Sequence, residues 1–167
     1  MQYNKRIMKK EILKKRDIKL VASDFDGVFT DGKIHVYSDG TTSKKLDYKD
    51  IMGIANILKK GVKFAIISGE TSQAISMLKQ KFPQIDTFEG ERKKINILKN
   101  LLEEYGIPPE KSMYFGDDIN DLECLNFCGV PVTVADAHPS VKQVENIIIS
   151  EHSGGNGAFR EITDYLL

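Results

Sequence analysis

The stretch Ile18-Lys19-Leu20-Val21-Ala22-Ser23-Asp24-Phe25-Asp26-Gly27 decides how this chain folds. An apolar run of strand length passes directly into two carboxylates separated by one residue, then a glycine. That is the pattern of a buried parallel strand whose carboxyl end opens into a site. Side chains alternate along a strand, so Asp24 and Asp26 are expected to leave on one side while Phe25 turns toward the core. Two carboxylates so crowded repel unless a cation or a shared proton relieves them.

Outward from this run, apolar segments of strand length recur at 62–67, 112–115 and 130–135, with weaker ones at 85–88 and 146–149. Helical patterns lie between them at 50–60, 71–81, 91–105, 120–127 and 139–144. Such alternation predicts an α/β fold, a Rossmann-like three-layer sandwich with a mostly parallel sheet. One segment interrupts it. Residues 33–47 carry Asp39-Gly40 between two short strand-like runs, a signal for a tight β-hairpin inserted after the first strand. We therefore expect a single domain over 18–167, preceded by a basic, helical extension over 1–17.

Composition excludes several classes. With 167 residues, 41% of them hydrophobic, the chain can bury one sizeable core and is not disordered. No apolar run approaches the roughly 20 residues needed to cross a bilayer, and the lysine-rich start lacks a signal-peptide core. No membrane partner and a cytoplasmic location are expected. Cys124 and Cys128 form neither a disulfide framework nor a paired zinc pattern. The 24 basic and 24 acidic residues cancel, but unevenly, since residues 1–19 hold eight basic side chains against two acidic ones. The spacing of Ile7, Met8, Glu11, Ile12 and Lys15 suits a solvated or packing amphipathic helix better than a nucleic-acid arm.

The other strand ends are as polar as the first. Ser68-Gly69-Glu70 offers a hydroxyl and an unhindered backbone amide just before a helix, a combination suited to phosphate. Gly116-Asp117-Asp118-Ile119-Asn120-Asp121 adds three carboxylates. Lys93 and Lys94 fall in the first turn of a helix, where the dipole disfavours cations, and so are placed for a ligand. The donor set suits Mg²⁺, which takes one or two carboxylates plus substrate phosphate. A phosphate ester is the matching substrate.

At these residues the chain resembles the haloacid dehalogenase superfamily, in whose phosphatases Asp-x-Asp, Ser/Thr, Lys and Gly-Asp-Asp elements follow in this order. Beyond them, Asp24-Phe25-Asp26-Gly27-Val28-Phe29-Thr30-Asp31-Gly32, the hairpin, Ala135-Asp136-Ala137-His138-Pro139 and Gly154-Gly155-Asn156-Gly157-Ala158-Phe159-Arg160-Glu161 are similar to its small capless branch. That branch acts on 3-deoxy-D-manno-octulosonate 8-phosphate and on the 9-phosphates of nine-carbon sugar acids. The resemblance implies Asp24 as nucleophile and Asp26 as general acid and base. Mg²⁺ would be held by Asp24, the Asp26 carbonyl and Asp117, with Asp118 and Asp121 supporting. Ser68, Gly69 and Lys94 would take the phosphoryl group, with Lys94 favoured over Lys93. It further implies a homotetramer with the hairpins at its centre, and Arg160 of the glycine-rich tail near the substrate carboxylate.

Asp136 and His138 read better as a structural turn. Members acting on the octulosonate ester typically carry Arg after the Ser/Thr-Gly element, where this chain has Glu70. An acid there, with a lysine one helix later such as Lys81, is the pattern of the nine-carbon phosphatases. A phospho-acceptor signalling domain and an idle interaction subunit are the competing classes. Asp26, placed to activate water, and the intact carboxylates argue against them.

Overall fold

A computed structural model describes residue 11 and residues 13–167. In chain order the elements are β1 (Leu20–Ser23), β2 (His35–Val36), β3 (Thr42–Ser43), α1 (Tyr48–Lys59), β4 (Lys63–Ile67), α2 (Gln73–Lys81), β5 (Asp86–Phe88), α3 (Lys94–Tyr105), β6 (Ser112–Phe115), α4 (Leu122–Phe127), β7 (Val130–Thr133), β8 (Ile148–Ile149) and α5 (Ala158–Thr163). Six strands form one sheet in the order β5-β4-β1-β6-β7-β8, every pair parallel, and β2 and β3 make a separate antiparallel pair. The chain runs outward from β1 through β4 to β5, then crosses to β6 on the other flank. The crevice above β1 is the switch point at which such sheets bind ligands.

Strand alternation splits the core in two. Val21, Phe64, Ile66, Met113 and Phe115 face α1, α2 and α5, and Leu20, Ala22, Ala65, Ile67 and Tyr114 face α3 and α4. At the centre of the first layer Phe159 of α5 lies 4.7, 5.3 and 4.8 Å from the rings of Phe29, Phe64 and Phe115. The last helix is thereby fixed to the sheet and to the loop that follows β1. Leu13, from the end of the N-terminal extension, is 1% exposed in the same layer. Ile7, Met8 and Ile12, on which the amphipathic expectation rested, lie outside the described residues.

Several elements differ from expectation, each for a local reason. The Asp-Gly turn forms, with Gly40 at φ 83° and its N–H donating to Tyr37 O at 3.0 Å, but pairing covers only two residues a side. Beyond it Lys44 leaves for Asp26, and Asp47 caps α1 by accepting from Lys49 N at 2.8 Å. Ser72 is the N-cap of α2, its side chain accepting from Ala74 N, so the helix begins at Gln73 and not at 71. Gly90 turns the chain at φ 74°, delaying α3 until Lys94. The segment 139–144 makes a single 3₁₀ turn, Val141–Gln143, rather than an α-helix.

Replacing Phe159 by Ala removes a fully buried ring from three aromatic contacts, and should cost about 3–5 kcal/mol of stability. The shift in the urea unfolding midpoint measures it; a change within about 0.5 kcal/mol, as surface substitutions give, would contradict the packing role.

Candidate active site

The chain leaves β1 at Asp24, whose N–H still bonds Phe115 O at 2.9 Å, and then coils so that the N–H groups of Val28, Phe29 and Thr30 all converge on Phe25 O. This turn separates the two aspartates that simple strand alternation would keep together. Asp24 enters a buried cluster, whereas the Asp26 carboxylate swings toward the hairpin. In the cluster Lys94 Nζ lies 2.9 Å from both Asp24 Oδ1 and Asp121 Oδ1. Tyr114 donates to the same Asp121 oxygen at 2.9 Å, and the N–H of Asp117 reaches Asp121 Oδ2 at 3.1 Å. Lys94 is the inward lysine, 2% exposed, while Lys93 faces solvent.

Asp24, Asp117 and Asp121 offer oxygens within 4.8 Å of one another. Three carboxylates face one ammonium, so two negative charges lack a partner. Burial, aided by the Asp121 carboxylate, pushes Asp24 up to about 8 against the pull of Lys94. Burial, with Asp121 and Asp118 nearby, pushes Asp117 up to about 7. Burial works against the Lys94 ammonium, but Asp121 and Asp24 overcome it and hold its pKa above the ordinary lysine value. Asp117 Oδ1 is buried without a hydrogen-bond donor. A dication fits this deficit in both charge and bonding.

Asp121 is the weaker ligand of the three, because both of its oxygens already accept protein hydrogen bonds. It positions Lys94. Among the described residues the Asp26 carbonyl accepts no protein hydrogen bond, so Asp24, Asp117 and that carbonyl are the donors left open to an ion. Gly27 is obligatory beside them, since a Cβ there would lie 1.9 Å from Asp117 Oδ2.

The Asp26 carboxylate accepts from Thr30 Oγ1 at 3.1 Å and from Lys44 Nζ at 2.7 Å. Sequence reasoning missed both donors. Thr30 was quoted only as part of a motif, and Lys44 lies in the hairpin, with no local pattern tying it to a residue 18 positions earlier. Asp50, also missed, is fully buried in α1 and accepts from Gly157 N at 3.0 Å and Arg160 N at 2.9 Å. Asp136 accepts from Gly154 N at 2.9 Å, and Gly155 N donates to Val28 O at 2.9 Å. The glycine-rich tail is thus tied down across the loop that carries Asp26. A Cβ on Gly154 would come within 1.8 Å of Gly27 O, which is why the tail can lie so close.

Ser68 and Gly69 stand at the end of β4 on the same sheet edge. Ser68 Oγ donates to Glu70 O at 2.8 Å and accepts from Glu70 N at 3.2 Å, and the space above Gly69 is open. Glu70 is exposed. Asp118 is exposed and caps the turn Ile119–Asp121, accepting from Ile119 N at 2.7 Å. Within this chain Lys81 is not brought to the site. It ends α2, which runs back toward the opposite sheet edge, and its ammonium lies 5.9 Å from the Phe82 ring. Arg160 is engaged on its own helix, its Nε donating to Asp164 Oδ1 at 2.6 Å.

The chain belongs to the haloacid dehalogenase-like hydrolases, whose family model matches residues 69–162, and it is a phosphoric monoester hydrolase. It is 34% identical over 157 residues to a 3-deoxy-D-manno-octulosonate 8-phosphate phosphatase of Haemophilus influenzae, covering 92% of this chain and 85% of that one. The crystal structure of the Moraxella catarrhalis phosphatase of that name, with magnesium, phosphate and KDO, is similar at a TM-score of 0.86 and 29% identity, over 98% and 91% of the two chains. A cobalt-bound form of the Haemophilus influenzae phosphatase gives 0.84 and 32%, over 91% and 88%.

Because both raised carboxyls bind protons more tightly folded than unfolded, these two groups favour the metal-free fold most in acid. Their contribution is lost as pH rises from about 4 through the values near 7 and 8. In EDTA the melting temperature should therefore fall from about pH 5 to about pH 8, and added Mg²⁺ should raise it more at the higher pH. Asp117→Asn should remove most of that Mg²⁺ increment. A Mg²⁺ increment that is larger in acid would contradict the charge deficit.

Proposed function

We propose that this chain hydrolyses the terminal phosphate of a 3-deoxy-2-ulosonic acid, with 3-deoxy-D-manno-octulosonate 8-phosphate as the first substrate to test. The supporting observation is the Asp24–Lys94–Asp117 arrangement at the end of β1, in a chain alignable over 92% of its length with a phosphatase of that ester. Asp24 is the nucleophile. Phe25 N at 2.6 Å and Lys94 Nζ at 2.9 Å both hold its Oδ1. Attack on phosphorus forms an aspartyl phosphate and breaks the ester bond, and Asp26 gives the departing alkoxide its proton. Asp26 then takes a proton from the water that attacks the acyl phosphate, releasing inorganic phosphate and restoring Asp24.

Mg²⁺ at Asp24, the Asp26 carbonyl and Asp117 would offset the charge that otherwise keeps a carboxylate from a phosphate dianion. Ser68 Oγ, Gly69 N and Lys94 would hold the phosphoryl oxygens. That second role for Asp26 is also why a phospho-acceptor domain, which must preserve its acyl phosphate, fits less well. A groove of about 850 Å³ between the hairpin and the start of α2, lined in part by Thr41, Thr42, Ser43, Thr71, Ser72 and Glu89, suits a polyhydroxylated leaving group. Glu70 supports a second substrate, the 9-phosphate of a nine-carbon sugar acid such as KDN or N-acetylneuraminate. An acid after the Ser-Gly element is the pattern of the phosphatases of those esters, and the exposed Glu70 would accept bonds from hydroxyl or amide groups.

Ile34, Val36 and Tyr37 on the hairpin, with Tyr48 and Met52 on α1, leave apolar surface exposed. We place these at the centre of a homotetramer. A cytoplasmic location accords with the two buried free thiols.

Asp24→Asn should abolish phosphate release in Mg²⁺. Asp26→Asn should slow it by about a hundredfold or more, with acid-stable capture of phosphoenzyme. Comparison of kcat/KM for the eight- and nine-carbon esters ranks the two substrates, and poor rates on both would overturn the substrate class. Val36→Glu should lower the assembly mass in light scattering; a wild-type monomer would overturn the tetramer.

A further inference from the structure

The hydrogen bonds around Asp26 can be counted completely on its Thr30 side. Thr30 is fully buried, and its Oγ1 accepts from Gly27 N at 3.2 Å and from Gly32 N at 3.1 Å. With both lone pairs used, its one proton must go to Asp26 Oδ1, 3.1 Å away. The other oxygen, Oδ2, is held by Lys44 Nζ at 2.7 Å, a charge-assisted bond from the far side of the hairpin. The Lys44 and Asp26 side chains are 16% and 30% exposed, so the pair is partly shielded from solvent screening. The next residue, Lys45, faces solvent. Lys44 also lines the hydroxyl-rich groove between the hairpin and the start of α2.

We infer that Lys44 is a positioning residue for Asp26: reaching from the hairpin, it fixes the second oxygen of the acid–base carboxylate and thereby aims it at the leaving oxygen. One donor alone would leave that carboxylate free to rotate about its last bond; two donors on opposite oxygens set its plane. The hairpin therefore acts in the reaction as well as in any assembly. This role rests on Asp26 being the general acid and base.

Leaving groups separate such a role from simple structural support. An alkyl phosphate needs the proton that Asp26 supplies, whereas p-nitrophenolate departs without one. Lys44→Met should lower the single-turnover rate of alcohol release from 3-deoxy-D-manno-octulosonate 8-phosphate by about tenfold or more. Its first-turnover release of p-nitrophenol from p-nitrophenyl phosphate should stay within about twofold of wild type. KM for the sugar ester should be little changed, Lys44→Arg should recover most of the loss, and Lys45→Met should have no effect. Equal losses on both esters, or a rise in KM without a fall in rate, would overturn the positioning role. Asp26→Asn in the same assay keeps the two readings apart. If it releases the sugar alcohol at the wild-type rate, the acid–base assignment itself fails. If it is slow while Lys44→Met is not, only the role of Lys44 fails.

Discussion

The ammonium of Lys94, shared between Asp24 and Asp121 at 2.9 Å each, is the contact on which the rest of the site depends. A lone lysine or aspartate at this depth would be driven to its neutral form. Together they leave carboxylates in surplus over the one ammonium, and that surplus suits the site to a dication, which in turn would offset the repulsion of a phosphate. The fold prepares for it. Asp121 is saturated by Lys94, Tyr114 and the Asp117 amide, so its charge is fixed in place, while the Asp117 oxygen that has no donor is left for the ion.

Around this cluster the hairpin and the C-terminal tail hold the loop after β1. The hairpin reaches Asp26 through Lys44, the tail lies against Gly27 and Val28 through its glycines, and Phe159 packs under Phe29. Asp50 and Asp136 secure the tail by accepting its backbone amides. The loop that carries Asp26 is thus short and held from several sides, which limits how far it can reorganise.

Much of this was legible in the residues. Apolar runs ending in Asp24, Ser68 and Asp117 announced the parallel sheet and its reactive edge, because buried strands of such sheets are continuous in hydrophobicity and their carboxyl ends carry the chemistry. Gly40 marked the hairpin turn, since a positive φ there favours glycine. The start of α3 was less legible. Moving it from 91 to Lys94 depends on the turn at Gly90 and on the bond from Glu91 N to Ser68 O, a contact between segments 23 residues apart.

The sequence by itself determined the layered α/β architecture, the placement of Asp24, Ser68 and Asp117 at strand ends, and the carboxylate-rich character of the site, because each follows from periodicity and local residue type. Only the tertiary structure decided that the Asp26 carboxylate turns to the hairpin, that of the two supporting aspartates Asp121 takes Lys94 while Asp118 stays at the surface, and that Lys44 bonds Asp26 and Asp50 the tail. It also decided that Lys81 lies at the wrong end of its helix. These outcomes depend on directions in space between segments far apart in the chain, and no local pattern encodes where a side chain meets a partner brought to it by folding.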